Sequence, residues 1–277
     1  MVPAVWSRRL PFVHDGSSTA DGRLYGRSFA DVYDQWYGDL HEPLVVARAL
    51  RRHLGALGDV DQVDDLTPRL LELGSGSGRL AGPLAHMGFE VIALDISSSM
   101  QEHDRTPSRK IRADMSVLPV ADFSADVVLI AYNTLLTLPA PDAQRRCIDE
   151  CARVLAPGGL LVIESFIAET PTDGFITSLS TRAHHTDANG RVAIATTRST
   201  ENPDLLVGVH IELTADGVRS RPWQISYLSP DQLASAAAAA GLELESRTGD
   251  WEDRPFDSSA TRYVAWFRRP ATTSATQ

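Results

Sequence analysis

Apolar residues recur along this chain with two different periods, and the switch between them divides it into segments. From Phe29 to Tyr37 the aromatics Phe29, Tyr33, Trp36 and Tyr37 fall at helical spacing. Residues 42–57 repeat that period with Leu44, Val45, Ala49 and Leu54. Beyond them, short apolar runs alternate with helical stretches. The runs predict strands over 69–73, 90–94, 110–113, 125–131 and 160–165. Helices are expected between them, notably over 78–87 and 142–155. Ala156-Pro157-Gly158-Gly159 carries turn chemistry and is expected to end the second of these. Strands alternating with helices over about 100 residues imply right-handed crossovers, a mostly parallel sheet and helices on both of its faces.

The pattern changes after Ser165. A polar stretch leads into three candidate strands over 192–199, 205–214 and 217–227, with Asn202-Pro203-Asp204 and Asp216-Gly217 as turns. An antiparallel meander inserted into an α/β domain suits a cap over the ligand crevice. A helix over 229–240 follows, with Ser229 as N-cap, Pro230 at its first position and Gly241 at its end. Strands over 242–248 and 263–268 then bring the main sheet to seven. The expected organisation is a loose arm over 1–22, one domain over 23–270 with a cap insertion at about 166–228, and a disordered tail over 271–277.

The chain has 277 residues, 43% of them hydrophobic, enough for one large domain with a substantial core. Its formal charge of −10 offers no basic footprint for nucleic acid. No stretch reads as a signal peptide or a bilayer span, so a cytoplasmic protein without membrane partners is expected. Cys147 and Cys151 share a helix face but lack further ligands at metal spacing, so they are expected to be half-buried free thiols and no metal site is expected.

The chemistry concentrates where the first strand ends. Leu70-Leu71-Glu72-Leu73 runs into Gly74-Ser75-Gly76-Ser77-Gly78 and then a helix. The dinucleotide fingerprint G-x-G-x-x-G fails by one position, with Arg79 where its third glycine belongs. Glycines let a ligand approach the backbone at the carboxyl end of a strand, where open sheets bind ligands. Glu72 would repel a pyrophosphate there; it suits a ligand carrying an ammonium and a sulfonium. The second strand ends in Asp95, a carboxylate placed to accept both hydroxyls of a ribose. The third ends in Asp114-Met115, an acid for an exocyclic amine and an apolar side chain to cover its ring.

In series, ELGSGSG, ALD, RADM, ADVVLIAYNTL and RVLAPGGLLVIE resemble the successive motifs of class I S-adenosylmethionine-dependent methyltransferases over about 70–165. The resemblance implies a Rossmann-like α/β fold with an inserted antiparallel cap, S-adenosylmethionine as cofactor and S-adenosylhomocysteine as product. It implies that Glu72, with Gly74, Ser75, Gly76 and Gly78, holds the methionine part, Asp95 with Ile96 the ribose, and Asp114 with Met115 the adenine, with Ala131 alongside. FADVYDQWY resembles the N-terminal helix of small-molecule methyltransferases, including aminosugar N-methyltransferases, in which aromatics lid the cofactor. Tyr33 is thereby a cofactor candidate and Tyr37 a substrate candidate, although either residue serves equally well as core. The tail, RPWQISYLSPDQLASAAAAAGLELESRTGDW followed by PFD, resembles that of bacterial small-molecule enzymes.

Tyr132 and Asn133 follow the fourth strand, where the methyl group is expected to point, and both are substrate candidates; a turn cap is the plainer role for Asn133. AYNTL lacks the prolines of nucleobase amine methylation motifs. Trp223 and Tyr227 are further substrate candidates from the cap. No base is assignable: His184, His185 and Tyr132 are weak catalytic candidates, and His210, within a cap strand, is weaker still. The reading is methyl transfer to an amine or hydroxyl of a small specialised metabolite, as in natural-product and antibiotic biosynthesis. A small-molecule acceptor is the expected partner, and homodimerisation stays open. Two alternatives stand beside it: a protein that binds S-adenosylmethionine without transferring methyl, and an enzyme directed at protein or RNA.

Overall fold

The computed structural model describes residues 22–37, 43–55, 67–168, 178–182, 191–198, 202, 204–214 and 217–271. Seven strands form the main sheet: β1 (Arg69–Leu73), β2 (Glu90–Asp95), β3 (Arg109–Arg112), β4 (Ala125–Ile130), β5 (Leu155–Phe166), β10 (Glu243–Thr248) and β11 (Arg262–Arg268). Their order is β10-β11-β5-β4-β1-β2-β3. The strands from β3 across to β5 pair in parallel, and β11 runs antiparallel between β5 and β10. The central strands read as unbroken apolar runs because both faces are covered. Leu71, Val128 and Leu161 pack on one side with α6 (Pro141–Val154) and α7 (Pro230–Ala239). Leu70, Val127 and Leu160 pack on the other with α3 (Pro43–Gly55) and α4 (Ala81–His86). Ser229 caps α7 and closes a capping box with Gln232.

Several elements depart from their sequence expectation. Ala156–Gly159 does not end the element before β5 as a plain turn. Ala125 pairs with Leu155 and Val127 already with Leu160, so these residues bulge out of a strand that begins at Leu155, with Gly158 left-handed at φ 80°. The expected helix over 29–37 is instead the last residue of α1 (Gly22–Phe29), a turn over 30–32 and the short α2 (Tyr33–Tyr37), and α1 itself lies upstream of the expected span. Two glycines in GRLYGRSF argue against a helix by propensity. Tertiary packing overrides them: a Cβ on Gly26 would overlap the side chain of Ser97, next to α5 (Ser98–Gln101). Cys147 and Cys151 are fully buried in α6, not half-buried, and burial pushes the Cys151 thiol up. The arm over 1–21 and the tail over 272–277 lie outside the described residues.

The cap is a four-stranded antiparallel sheet, β6 (Ser178–Arg182), β7 (Arg191–Arg198), β8 (Leu205–Thr214) and β9 (Gly217–Ser226), in that order. Its first strand falls in the stretch read from sequence as a polar lead-in. β9 lies against α1 and the turn after β4. The Gln144 side-chain amide of α6 donates to the Ser226 carbonyl at 2.7 Å, anchoring the end of the cap on the main domain. Arg221, 5% exposed, ties the cap to the N-terminal helices. Its guanidinium bonds both carboxylate oxygens of Asp31 at 2.6 and 2.9 Å, donates to the Ser28 carbonyl, and meets the buried Glu212 at 3.1 Å.

Removing one partner of a buried ion pair leaves the other charged and dry. Arg221→Ala is expected to destabilise the fold by about 3–5 kcal/mol, read by chemical denaturation, and a second change, Glu212→Met, should restore much of the loss. A cost near zero for Arg221→Ala would mean that Glu212 is solvated.

Candidate functional site

A cavity of about 640 Å³ opens at the carboxyl ends of β1, β2 and β4 and continues under the cap. Its inner wall is the loop after β1. Gly74, Gly76 and Gly78 sit at φ 70°, 58° and 81°, the left-handed region that glycine adopts without strain. Neighbours within the protein impose glycine as well. A Cβ on Gly74 would strike Thr134, and one on Gly78 would strike the Asp104 carboxylate. Gly74 and Gly76 line the cavity; Ser75 and Gly78 are buried behind them.

Asp95 fixes this loop. One carboxylate oxygen accepts the Gly76 N–H at 2.8 Å and the other the Ser97 N–H at 2.7 Å. Burial pushes its carboxyl up while those two amides pull it down, and the net shift is upward. Asp95 lines the cavity beside Ile96. Asp114 and Met115 line it too; one Asp114 oxygen accepts both the N–H and the hydroxyl of Ser116 at 2.8 Å.

Glu72 lies beneath the loop, 4% exposed and not itself part of the cavity wall. Its Oε2 has no hydrogen-bond partner. Burial first, then the nearby Asp104 and Asp95 carboxylates, push its carboxyl up to about 8, against the pull of Arg79. A cation placed against the loop would favour the ionised form. A buried acidic floor beneath a glycine cradle therefore fits the ammonium and sulfonium ligand expected from sequence.

The opposite wall comes from α1, α2, the end of β4 and the cap. Tyr33 and Tyr37 both line the cavity, their ring centroids 5.0 Å apart. Burial pushes the Tyr33 hydroxyl up to about 12. Tyr132 and Asn133 line it from consecutive left-handed positions, φ 53° and 63°. That backbone is held from β5: Glu164 accepts the Tyr132 N–H at 3.1 Å, and the Asn133 side-chain oxygen accepts the Phe166 N–H at 2.8 Å. Asn133 therefore bridges to β5 instead of capping the following turn with its side chain. The Arg79 guanidinium lies 3.9 Å from the centre of the Tyr132 ring and donates to the Tyr37 carbonyl.

From the cap, Trp223 lines the cavity, and its indole occupies the space above Gly208, where a Cβ would overlap the ring. Tyr227 does not line it: its hydroxyl accepts the Ala168 N–H at 3.2 Å and its ring packs 5.6 Å from Phe166. Ala131 is buried away from the wall. His184 and His185 lie outside the described residues.

Sequence reading missed Tyr25 and passed over His210, both in the wall. Tyr25 was within reach, since Tyr25, Phe29, Tyr33 and Tyr37 recur every four residues. His210 carried no such signal. Among the described residues, no group of three or more His, Cys, Asp or Glu could hold a metal, and no helix is long and apolar enough to cross a membrane.

Glu72 has a consequence for stability. An acid raised in the folded chain binds a proton that the unfolded chain has released, so stability falls with rising pH between the ordinary glutamate value and about 8. Each unit of displacement corresponds to about 1.4 kcal/mol. In the cofactor-free protein, Glu72→Gln should flatten this slope in denaturation curves taken across that window. A slope unchanged by the substitution would show that Glu72 stays charged throughout.

Residues 71–163 match the family model described as a methyltransferase domain. The chain is 31% identical over 178 residues to a demethylmenaquinone methyltransferase of Renibacterium salmoninarum, covering 62% of this chain and 65% of that one, just under two thirds of its length. Among solved structures, it is similar to the CcbJ methyltransferase from Streptomyces caelestis, with TM-score 0.74 and 29% identity, covering 91% of this chain and all of the other. The fold is also that of CalS10, an amino pentose methyltransferase from Micromonospora echinaspora, with TM-score 0.62 and 20% identity over 86% of this chain and 96% of that one. The seven-stranded sheet, the glycine cradle and these likenesses converge: residues 71–163 match a methyltransferase domain, carried on the class I S-adenosylmethionine-dependent methyltransferase fold.

Proposed function

We propose that the whole chain is a methyltransferase that moves the methyl group of S-adenosylmethionine to an amine or hydroxyl of a small, cyclic, mostly apolar metabolite. One observation carries this reading. The cavity that begins at the glycine cradle continues under a cap built into the same chain, where Tyr37, Trp223 and His210 line it. A pocket with aromatic walls suits a rigid apolar body with a few polar groups. The likeness to the Streptomyces caelestis methyltransferase, which extends over 91% of this chain, supports a built-in acceptor site.

In this reading the residues divide by task. Glu72 beneath the loop, and Gly74 and Gly76 within it, favour the cationic methionine end; Asp95 receives the ribose hydroxyls; Asp114 and Met115 take the adenine. Tyr33 closes over the cofactor. Tyr37, Tyr132, Asn133 and Trp223 orient the acceptor. The bound cofactor supplies an activated methyl group, so the protein's main contribution is alignment and exclusion of water. Orientation of this kind supplies about 7–11 kcal/mol of the barrier. The demethylmenaquinone methyltransferase likeness favours a second reading, an aromatic ring as acceptor.

Calorimetry tests the cofactor half. Asp95→Ala is expected to weaken S-adenosylhomocysteine binding by about 1.5–3 kcal/mol, the scale of hydrogen bonds to a charged group; an unchanged affinity would remove Asp95 from the ribose.

The acceptor half is tested by a mass-spectrometric screen of cyclic amines, aminosugars, alcohols, phenols and a naphthoquinol for a methyl-sized gain in mass, with release of S-adenosylhomocysteine. Transfer to an amine or alcohol is expected. Transfer to the naphthoquinol alone would favour the second reading, and cofactor binding with no transfer to any class would overturn both.

A further inference from the structure

His210, within a cap strand, is the weakest of the histidine candidates in the sequence. The structure puts it, 7% exposed, in the cavity wall. Its Nε2 lies 3.3 Å from the hydroxyl of Tyr37, which also lines the cavity. The Tyr37 hydroxyl is in turn hydrogen-bonded to Tyr25, again in the wall. Three ionisable groups from α1, α2 and β8 thus form one hydrogen-bonded run along the side of the cavity contributed by the cap and the N-terminal helices.

Aromatic rings fix the imidazole. Trp36 stacks on it at 5.8 Å, Phe29 meets it edge-on at 5.1 Å, and Trp223 lies at 6.3 Å. Aromatic faces stabilise a cation, most strongly when water is excluded, so this cage accommodates an imidazolium. The charged groups nearby are Arg221, paired across from His210 on β9 and 5.4 Å from the Trp36 ring, with Glu212 on β8 and Asp31 in the turn between α1 and α2. Arg221 bonds both acids. The tyrosines facing the pair are Tyr25 and Tyr33.

We propose that Tyr37 and His210 form the proton-accepting pair for the acceptor, with Tyr37 meeting the reacting group and His210 Nε2 as the proton's destination. This rests on the reading of the cavity as an acceptor site. An amine enters as its ammonium form. One N–H bond breaks and leaves its pair on nitrogen; the proton passes to the Tyr37 oxygen as the tyrosine's own proton passes to Nε2. The freed pair forms the carbon–nitrogen bond while the carbon–sulfur bond breaks with its electrons on sulfur. The charge brought by the ammonium leaves the acceptor before attack, and His210 returns the proton to solvent after release. A hydroxyl acceptor uses the same path, losing its proton as it attacks. The path requires Nε2 to be unprotonated and the hydrogen to sit on Nδ1.

The experiment begins without an acceptor. The full chain, labelled with nitrogen-15 and saturated with S-adenosylhomocysteine, is titrated by nuclear magnetic resonance over about pH 5–8, where histidines change charge. His210 Nε2 is expected to resonate as a bare acceptor nitrogen and to take up its proton within that window, and Tyr37→Phe should shift that midpoint. With an amine or alcohol found by the screen, His210→Gln and Tyr37→Phe should each lower single-turnover transfer about 10²–10⁴-fold, the scale of general-base catalysis. Both should leave S-adenosylhomocysteine affinity unchanged, and the rise of rate with pH should vanish in His210→Gln. Nε2 carrying the hydrogen at neutral pH, an imidazole that never titrates, or a Tyr37→Phe variant at wild-type rate would each overturn the pair. The titration stands apart from the screen: a screen without transfer removes the function proposed above, while the titration still decides whether His210 is able to accept the proton.

Discussion

Everything at the cavity's inner wall depends on one buried carboxylate. Asp95 ends β2 and receives two backbone amides, one from the glycine loop and one from the start of the next turn. Accepting both locks the loop to the neighbouring strand, and the Leu94 carbonyl adds the Gly74 and Ser75 N–H groups beside it. The left-handed glycines are the geometric condition for this arrangement, because the loop must turn tightly enough to present Gly76 to Asp95. A negatively charged anchor at this place also sets the electrostatics. With Asp104 it raises Glu72 and makes the loop's underside a place where a cation is welcome.

The outer half of the cavity follows different rules. It is built by elements distant in sequence and held by an ionic cluster centred on Arg221, with Asp31 on one side and Glu212 on the other. A buried pair of this kind is weak evidence for stability on its own. Here its value is in register: it fixes the height at which the cap meets α1 and α2, and so the spacing between Tyr37 and His210. The cradle sits on the doubly covered sheet, and the outer wall on a hairpin sheet whose Val218 is 72% exposed.

Legibility in the sequence tracks this division. The strands β1, β2, β4 and β5 were readable because burial on both faces leaves unbroken apolar runs, and Asp95, Asp114 and Met115 were readable because motif and strand end coincide. The cap hairpins were readable from Asn202-Pro203-Asp204 and Asp216-Gly217, whereas β6, in a polar stretch, was not. α1 was hidden by Gly26, whose lack of a side chain is demanded by Ser97, a residue about seventy positions away. His210 was hidden for a related reason. Alternation along β8 says that 208, 210 and 212 share a face, but not that this face looks into the cavity or that Trp36 lies over it. Tyr227 shows the converse: an aromatic at the right point in the sequence, whose hydroxyl is occupied by the Ala168 amide.

The pairing of Gly208 with Trp223 bears on how such a pocket diversifies. The indole lies over the glycine because a single hydrogen leaves room for it. Any larger residue at 208 must displace the ring and reshape the chamber, whereas a smaller residue at 223 would deepen it. Both positions are remote in sequence from the glycine cradle. On the function proposed above, acceptor size is therefore adjustable by drift at two neighbouring strand positions while the donor half stays fixed, so descendants of this chain could change clientele without relearning their chemistry.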